Sequence, residues 1–255
     1  MKRVLVKYIL PIFLPIVLLI TWMVLTEKQL VAPYLIPSPK LVIETMFNFL
    51  EDGTLLKDTW ASLSRMLQGY FWAIAFGLFF GIIMGLSVYM EKSFSVVFNA
   101  IRVIPPLAWI PLIILWFGIG EVSKVVIIFK SAFFPILLNV IQGIECVPKG
   151  YLEVSRLLGI SRWKTLIKVI IPSALPNIFV GLRLGLGAAW MAVVAAELIA
   201  SKSGLGYRLT EGRELSHPDV VMVGMFMIGV IGLLMDFFIS KVQVRVLSWQ
   251  HGVKS

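Results

Sequence analysis

Charged residues stand inside otherwise apolar stretches of this 255-residue chain, among them Lys130, Arg183, Glu197 and Asp236. A lone charge is costly in hydrocarbon, so such groups face a bundle interior, a water-filled path or one another. Glu197 falls near one end of its stretch, where it either reaches water or serves as a gate or packing contact; a carboxylate is ill suited to bind an anionic solute. Arg183 fits an anchor at the headgroup boundary. Asp236 is followed five residues on by Lys241 and is expected to find a basic partner at that rim. Trp109, Trp116, Asn139 and Gln142 are candidates for lining a path, although aromatic belts and helix packing explain them as well. Thiol and metal chemistry lack their parts. The single cysteine, Cys146, cannot close an internal disulfide, and His217 and His251 stand 34 residues apart, so no catalytic or metal-ligand set is expected.

The elements that must position these residues follow from composition. The chain is 59% apolar and 15% charged, with a mean hydropathy of +0.93. Soluble domains run about 45–50% apolar and about 25% charged, which excludes a water-soluble globule. Charge-free runs of 19 residues (Tyr8 to Thr26), 25 (Met66 to Met90) and 18 (Val103 to Gly120) each suffice to span a bilayer. Further spans are expected over about Val125–Ile144, Asn177–Ala200 and Val220–Ser240, giving six in an all-α polytopic membrane protein. Lys2, Arg3 and Lys7 ahead of the first run resemble a signal sequence, but no small-x-small cleavage pattern follows Trp22, so this reads as an uncleaved span. Segments 1–10, 87–102, 145–175 and 241–255 carry 13 basic and 3 acidic residues, whereas 27–61, 118–124 and 201–219 carry 7 basic and 9 acidic. The first set, with both termini, is therefore expected in the cytoplasm. The net charge of +9 reads as topology and not as a nucleic-acid surface.

Within the second span Gly69, Ala73, Gly77, Gly81 and Gly85 put a small residue at every fourth position, a face built for close approach of another helix. Residues 35–39 read as an extended linker. Leu41 to Leu50 has helical spacing suited either to the membrane surface or to packing on the bundle. The longest cytoplasmic segment, 145–175, reads as a helix, a turn and a helix. Pro148 starts the first, Tyr151, Leu152, Ser155 and Leu158 mark its apolar stripe, and Gly159 closes it with a left-handed cap. Ser161 then caps a second helix, Arg162 to Ile171, ended by Pro172. A DNA-reading motif has this outline, but a loop tethered to the membrane on both sides could hardly follow a groove; docking of a cytoplasmic protein is more natural.

Glu153-Val154-Ser155, three residues, Gly159, nine residues, then Val169-Ile170-Ile171-Pro172 resemble the EAA loop of binding-protein-dependent ABC importers. That pattern is Glu-Ala-Ala, three residues, Gly, nine residues, Ile-x-Leu-Pro. The departures are Val154 and Ser155 for the alanines, Val169 for isoleucine and Ile171 for leucine. Arg102 to Pro111, Trp116 to Glu121, Phe133 to Asn139, Ala195-Ala196-Glu197 and Ser203 to Tyr207 are similar to the permease subunits of the nitrate, sulfonate and taurine importer family, a likeness running from about Leu35 to Trp249. It implies a type I importer permease fold organised as a first transmembrane helix with external linker (1–60), a permease core (61–244) and a cytoplasmic tail (245–255). It also implies a second permease copy, two cytoplasmic ABC ATPase subunits and an extracytoplasmic solute-binding protein. Glu153, Val154, Ser155, Arg156, Gly159 and Pro172 would form the ATPase contact; Arg156, Arg162 and Lys164 would either pair with ATPase acids or anchor at headgroups. No Gly-Lys dipeptide, hence no GxxxxGK[ST] phosphate loop, occurs, so ATP and Mg would bind the partner and this chain would carry no cofactor. The expected cargo is a small anion of the sulfonate or taurine type. The alternatives are nitrate or a pyrimidine vitamin precursor and, remotely, a membrane enzyme or channel; an enzyme would need converging polar groups, whereas the two histidines fall in loops assigned to opposite sides.

Overall fold

The computed structural model describes residues 10–249, and every described element is helical. Lys2, Arg3, Lys7 and His251 lie outside the described residues. The order is α1 (Leu10–Glu27), α2 (Pro39–Glu51), α3 (Thr54–Leu86), α4 (Val88–Val103), α5 (Pro106–Phe117), α6 (Glu121–Glu145), α7 (Lys149–Leu157), α8 (Arg162–Ala200), α9 (Leu205–Glu214) and α10 (Pro218–Val246). The core is built around α6, which packs along its length against α3 on one side and α8 on the other. Ile128, Ile136, Leu137 and Val140 of α6 are fully buried there.

The glycine face of the second expected span meets this central helix. A Cβ added at Gly69 would lie 2.6 Å from Ile128 Cγ2, at Gly77 2.8 Å from Ile136 Cγ2, at Gly81 2.6 Å from Val140 Cβ and at Gly85 3.0 Å from Ile144 Cβ. Ala73 is completely buried in the same row. Each glycine therefore accommodates one branched side chain of α6, and the helix backbones approach closely because no side chain stands between them. On the other face of α6, Gly181 and Gly185 of α8 do the same against Asn139 and Ile136.

Four helices, α3, α6, α8 and α10, are individually long and apolar enough to cross a bilayer, and α4 with α5 makes a fifth only as a pair bent by 97°. The expected span from Val103 to Gly120 is thus not a single full-length helix. Pro105 and Pro106 interrupt it, since neither can donate to a preceding carbonyl, and a helix of 12 residues restarts at Pro106. Residues 87–102, expected on the cytoplasmic side, lie largely in α4, whose Ser87 side chain caps the backbone N–H of Met90. Among the described residues, four helices, or five with the bent pair, pass by length and composition, and α1 is a further apolar helix that is short over its described side chains. Between them, α2 is capped by Ser38 and lies on the bundle, with Thr45 donating to Asp219 of α10 at 2.7 Å.

A second difference concerns the hairpin. The helix starting at Arg162 does not stop at Pro172 but continues to Ala200. Leu166–Ile170 forms a π-turn in which the N–H of Ile171 donates to the carbonyl of Leu166. This wider turn supplies slack where Pro172 lacks an N–H and would press on a preceding carbonyl, so the helix passes through the proline.

Candidate functional site

The hairpin between α6 and α8 emerges at one end of the bundle. Helix α7 begins after Pro148 and ends at Leu158, and Gly159 follows at φ +66°. Gly159 N–H donates to Arg156 and Ile160 N–H to Ser155, closing the turn. Ser161 then caps α8 by accepting from Lys164 N–H. The buried side of α7 is narrow: Ser155 is buried and donates to Leu152 O at 2.9 Å, and Leu152 is half-buried. Tyr151 and Leu158, expected on the apolar stripe, instead face outward. Glu153, Val154 and Arg156 are also exposed, Leu157 is 87% exposed and Trp163 69%. Pro172 is half-buried at the base. A hairpin that turns Tyr151, Val154, Leu157, Leu158 and Trp163 outward presents apolar area that a partner surface would cover.

The opposite end carries the reverse arrangement. Glu197 does not reach water there: it is 1% exposed. Arg65 Nη1 donates to Glu197 Oε1 at 2.6 Å, and the hydroxyl of Ser62 lies 2.9 and 2.8 Å from the two carboxylate oxygens. Arg65 turns its other edge to Glu121, with Nε at 2.5 Å from Oε2 and Nη2 at 2.9 Å from Oε1, and also bonds Ser203 O and Oγ. Lys124 joins Glu121 at 2.9 Å. The N-terminus of α9 is held by the same cluster. Gly204 N–H donates to Asp58 Oδ1, Leu205 N–H to Ser62 Oγ and Gly206 N–H to Glu197 Oε2, each at 2.9 Å. Helix N-termini leave such N–H groups without intrahelical partners, and carboxylates are favoured beside them; here side chains of α3 and α8 fill that role. Arg208 of α9 closes the ring onto Asp58, Nη2 to Oδ2 at 2.6 Å, and onto Glu211. Burial opposes the charge on Arg208, yet its bonds to Asp58 and Glu211 outweigh that and hold the guanidinium above its ordinary range.

The sequence reading missed Asp58, Ser62, Arg65, Glu121 and Arg208. The signal was present: 58, 62, 65 and 69 follow at steps of four, three and four residues and so extend the row of Gly69 to Gly85 toward the start of α3. Measuring the span as a charge-free run began it at Met66 and cut the stripe short.

The remaining candidates separate. Asn139 donates to Pro135 O of its own helix at 2.8 Å and packs against Gly181, within the α6–α8 seam. Trp109 is half-buried, with Lys130 Nζ 5.3 Å from its ring centroid; Trp116 and Gln142 are exposed. Asp236 finds its basic partner in Arg183 and not in Lys241. Arg183 Nε and Nη2 grip its two oxygens at 2.6 and 2.7 Å, while Lys241 lies over the Phe237 ring. The helix spacing explains the choice, because α8 and α10 pack together and bring Arg183 opposite Asp236.

Comparison with known proteins adds to this geometry. Residues 73–248 match the family described as binding-protein-dependent transport system inner membrane component. The taurine transport system permease protein TauC of Escherichia coli is 37% identical over 92% of this chain and 87% of its own length. The putative aliphatic sulfonates transport permease protein SsuC of Bacillus subtilis is 35% identical over 94% of this chain and 87% of its own. Among solved structures, an inward-facing form of the MetNI methionine ABC transporter superposes with a TM-score of 0.67 at 20% identity, covering 77% of this chain and 97% of that one, a likeness of fold.

Proposed function

The chain belongs to the binding-protein-dependent transport system inner membrane components and is a permease subunit of an ABC importer, and on that premise we propose that it passes a small sulfonate-type anion under the drive of a separate ATPase docked on the α7 hairpin. The observation that carries the docking is the outward apolar surface of that hairpin, Leu157 and Trp163 above all, flanked by Glu153, Arg156 and Arg162. ATP and Mg would be bound by the two ATPase subunits, with none bound by this chain. Two permease copies would pair, most simply as a homodimer, with hairpins and both chain ends in the cytoplasm, where the basic segments lie. The solute-binding protein would then dock at the opposite end, on the side of α2 and α9. The cargo reading rests on the relatives named for taurine and aliphatic sulfonates. Coupling needs a rigid connection with two discrete arrangements, and α8 supplies the rigid part, continuous from the hairpin to the buried ion cluster.

The test uses the permease, its ATPase and its binding protein in proteoliposomes. Glu153→Arg and Gly159→Val are expected to leave the membrane spans inserted while reducing stimulation of ATP hydrolysis by loaded binding protein at least ten-fold. Normal stimulation in both variants would remove the role assigned to the hairpin, and failure of tagged permease to co-purify any ATPase would remove the importer reading of its partners.

A further inference from the structure

The Arg183–Asp236 pair sits at an unusual place. Gly181 and Gly185 of α8 pack against residues 132–139 of α6, and Gly77 of α3 packs against Ile136, so Arg183 stands level with Gly77. That is 12 residues from Arg65 and 9 from Leu86 at the end of α3, or roughly 18 and 14 Å at 1.5 Å per residue. The pair therefore lies well inside the spans, yet its side chains are 46% and 50% exposed. A half-exposed ion pair at this depth is costly against lipid tails, so this face of the chain turns toward water or protein.

Two details separate this pair from a plain staple between helices. Arg183 uses Nε and Nη2 on Asp236, and its Nη1 has no hydrogen-bond partner among the described residues, leaving a guanidinium donor free. Beside it, Gly187, Gly232 and Trp190 shape a notch of about 60 Å³, and nothing lies within 4 Å of where a Gly187 side chain would start. The notch is lined by both members of the pair, Arg183 and Asp236. Asp236 thus occupies the guanidinium fork that a carboxylate, sulfonate or other planar or trigonal oxyanion face would fill.

Resting on the cargo reading above, we propose that Arg183 reads the oxyanion in the transport path and that Asp236 is its resident counter-ion, holding the guanidinium until the anion displaces it. A place-holder makes the partners unequal: the cation contacts the cargo, while the carboxylate only competes with it.

Taurine uptake into proteoliposomes, measured alongside binding-protein-stimulated ATP hydrolysis, tests this. Arg183→Gln is expected to lower uptake at least ten-fold while ATP hydrolysis stays within two-fold of wild type. Asp236→Asn should keep uptake within three-fold, and the exchanged pair, Arg183→Asp with Asp236→Arg, should not recover it. Equal losses from the two single changes with recovery in the exchange would show a structural staple and overturn the proposal. As a measurement independent of transport, Gly187→Cys placed in a Cys146→Ser background should react with a membrane-impermeant anionic thiol reagent and be protected by excess taurine; no reaction would mean that the face is sealed or turned to lipid. If wild-type complex carries no small anion, the cargo reading falls; if it carries taurine and Arg183→Gln carries it equally, only the role of Arg183 falls.

Discussion

The hairpin and the ion cluster at the other end of the bundle distribute their side chains in opposite ways. At the hairpin, apolar Leu157 and Trp163 face outward; at the far end, Arg65, Asp58, Lys124 and Glu197 are buried. The difference lies in what completes each. Every buried charge in the cluster meets an opposite charge or backbone N–H within the same chain, so that end is finished without a partner. The hairpin satisfies its backbone through Pro148, Gly159 and Ser161 but leaves its apolar side chains uncovered. One end of the molecule is a self-contained clamp and the other is half of an interface.

The strongest way to break this contrast is to remove one member of the clamp. Arg65→Met leaves Glu197 buried without its cation, which typically costs about 3–5 kcal/mol. Thermal unfolding of the detergent-solubilised protein should show the largest drop of any single change discussed here. Adding Glu197→Leu should recover part of that loss, because a buried ion pair replaced as a unit by apolar groups is often near neutral. Recovery will be incomplete, since Gly206 N–H then loses its acceptor, at about 1–3 kcal/mol for an unsatisfied buried group. No loss in Arg65→Met would mean that the cluster is a solvated surface network.

Glycines sharpen the same comparison at a smaller scale. Gly204 (φ +110°) and Gly159 (φ +66°) both hold backbone conformations that side chains avoid, but their surroundings differ. A Cβ at Gly204 would strike the Glu197 carboxylate, whereas nothing lies within 4 Å at Gly159. Gly204→Ala therefore adds a steric collision to about 1–3 kcal/mol of backbone strain and should lower the unfolding midpoint clearly, freeing α9 from α3. Gly81→Ala should fall below it at about 1–3 kcal/mol, as overpacking against Val140 alone. A midpoint for Gly204→Ala equal to that of Gly81→Ala would show that Glu197 yields without loss.

Much of this was legible in the sequence, for reasons that differ by region. The Gly69 to Gly85 face and the helix from Lys149 to the turn at Gly159 follow local rules, since four-residue spacing and φ > 0 glycine need no knowledge of distant chain. The failures were non-local. That Asp236 has a basic partner is legible, but its identity is not, because Arg183 stands 53 residues away. Pro172 reads as a helix end because a single sequence does not reveal the π-turn over Leu166–Ile170 just before it. The Val103–Gly120 run is bounded by its lack of charge, and although Pro105 and Pro106 mark a bend, the bend's angle of 97° depends on packing that a single sequence does not carry. For Glu197 the sequence leaves water and a packing contact both open, because its partner Arg65 falls just outside the charge-free run of another helix.

The mildest prediction concerns Gly159, where strain and crowding can be told apart. Asparagine tolerates the left-handed region better than other side chains, and a β-branched residue tolerates it least. Open space at this position means that size alone should cost nothing. Gly159→Asn should thus keep both the unfolding midpoint and binding-protein-stimulated ATP hydrolysis close to wild type. Gly159→Val should lose stimulation while moving the midpoint only slightly, because the hairpin contributes little buried area and its local opening is nearly independent of the core. Equal loss of stimulation in both variants would show that the partner surface lies directly against Gly159, so that contact rather than turn geometry excludes a side chain there.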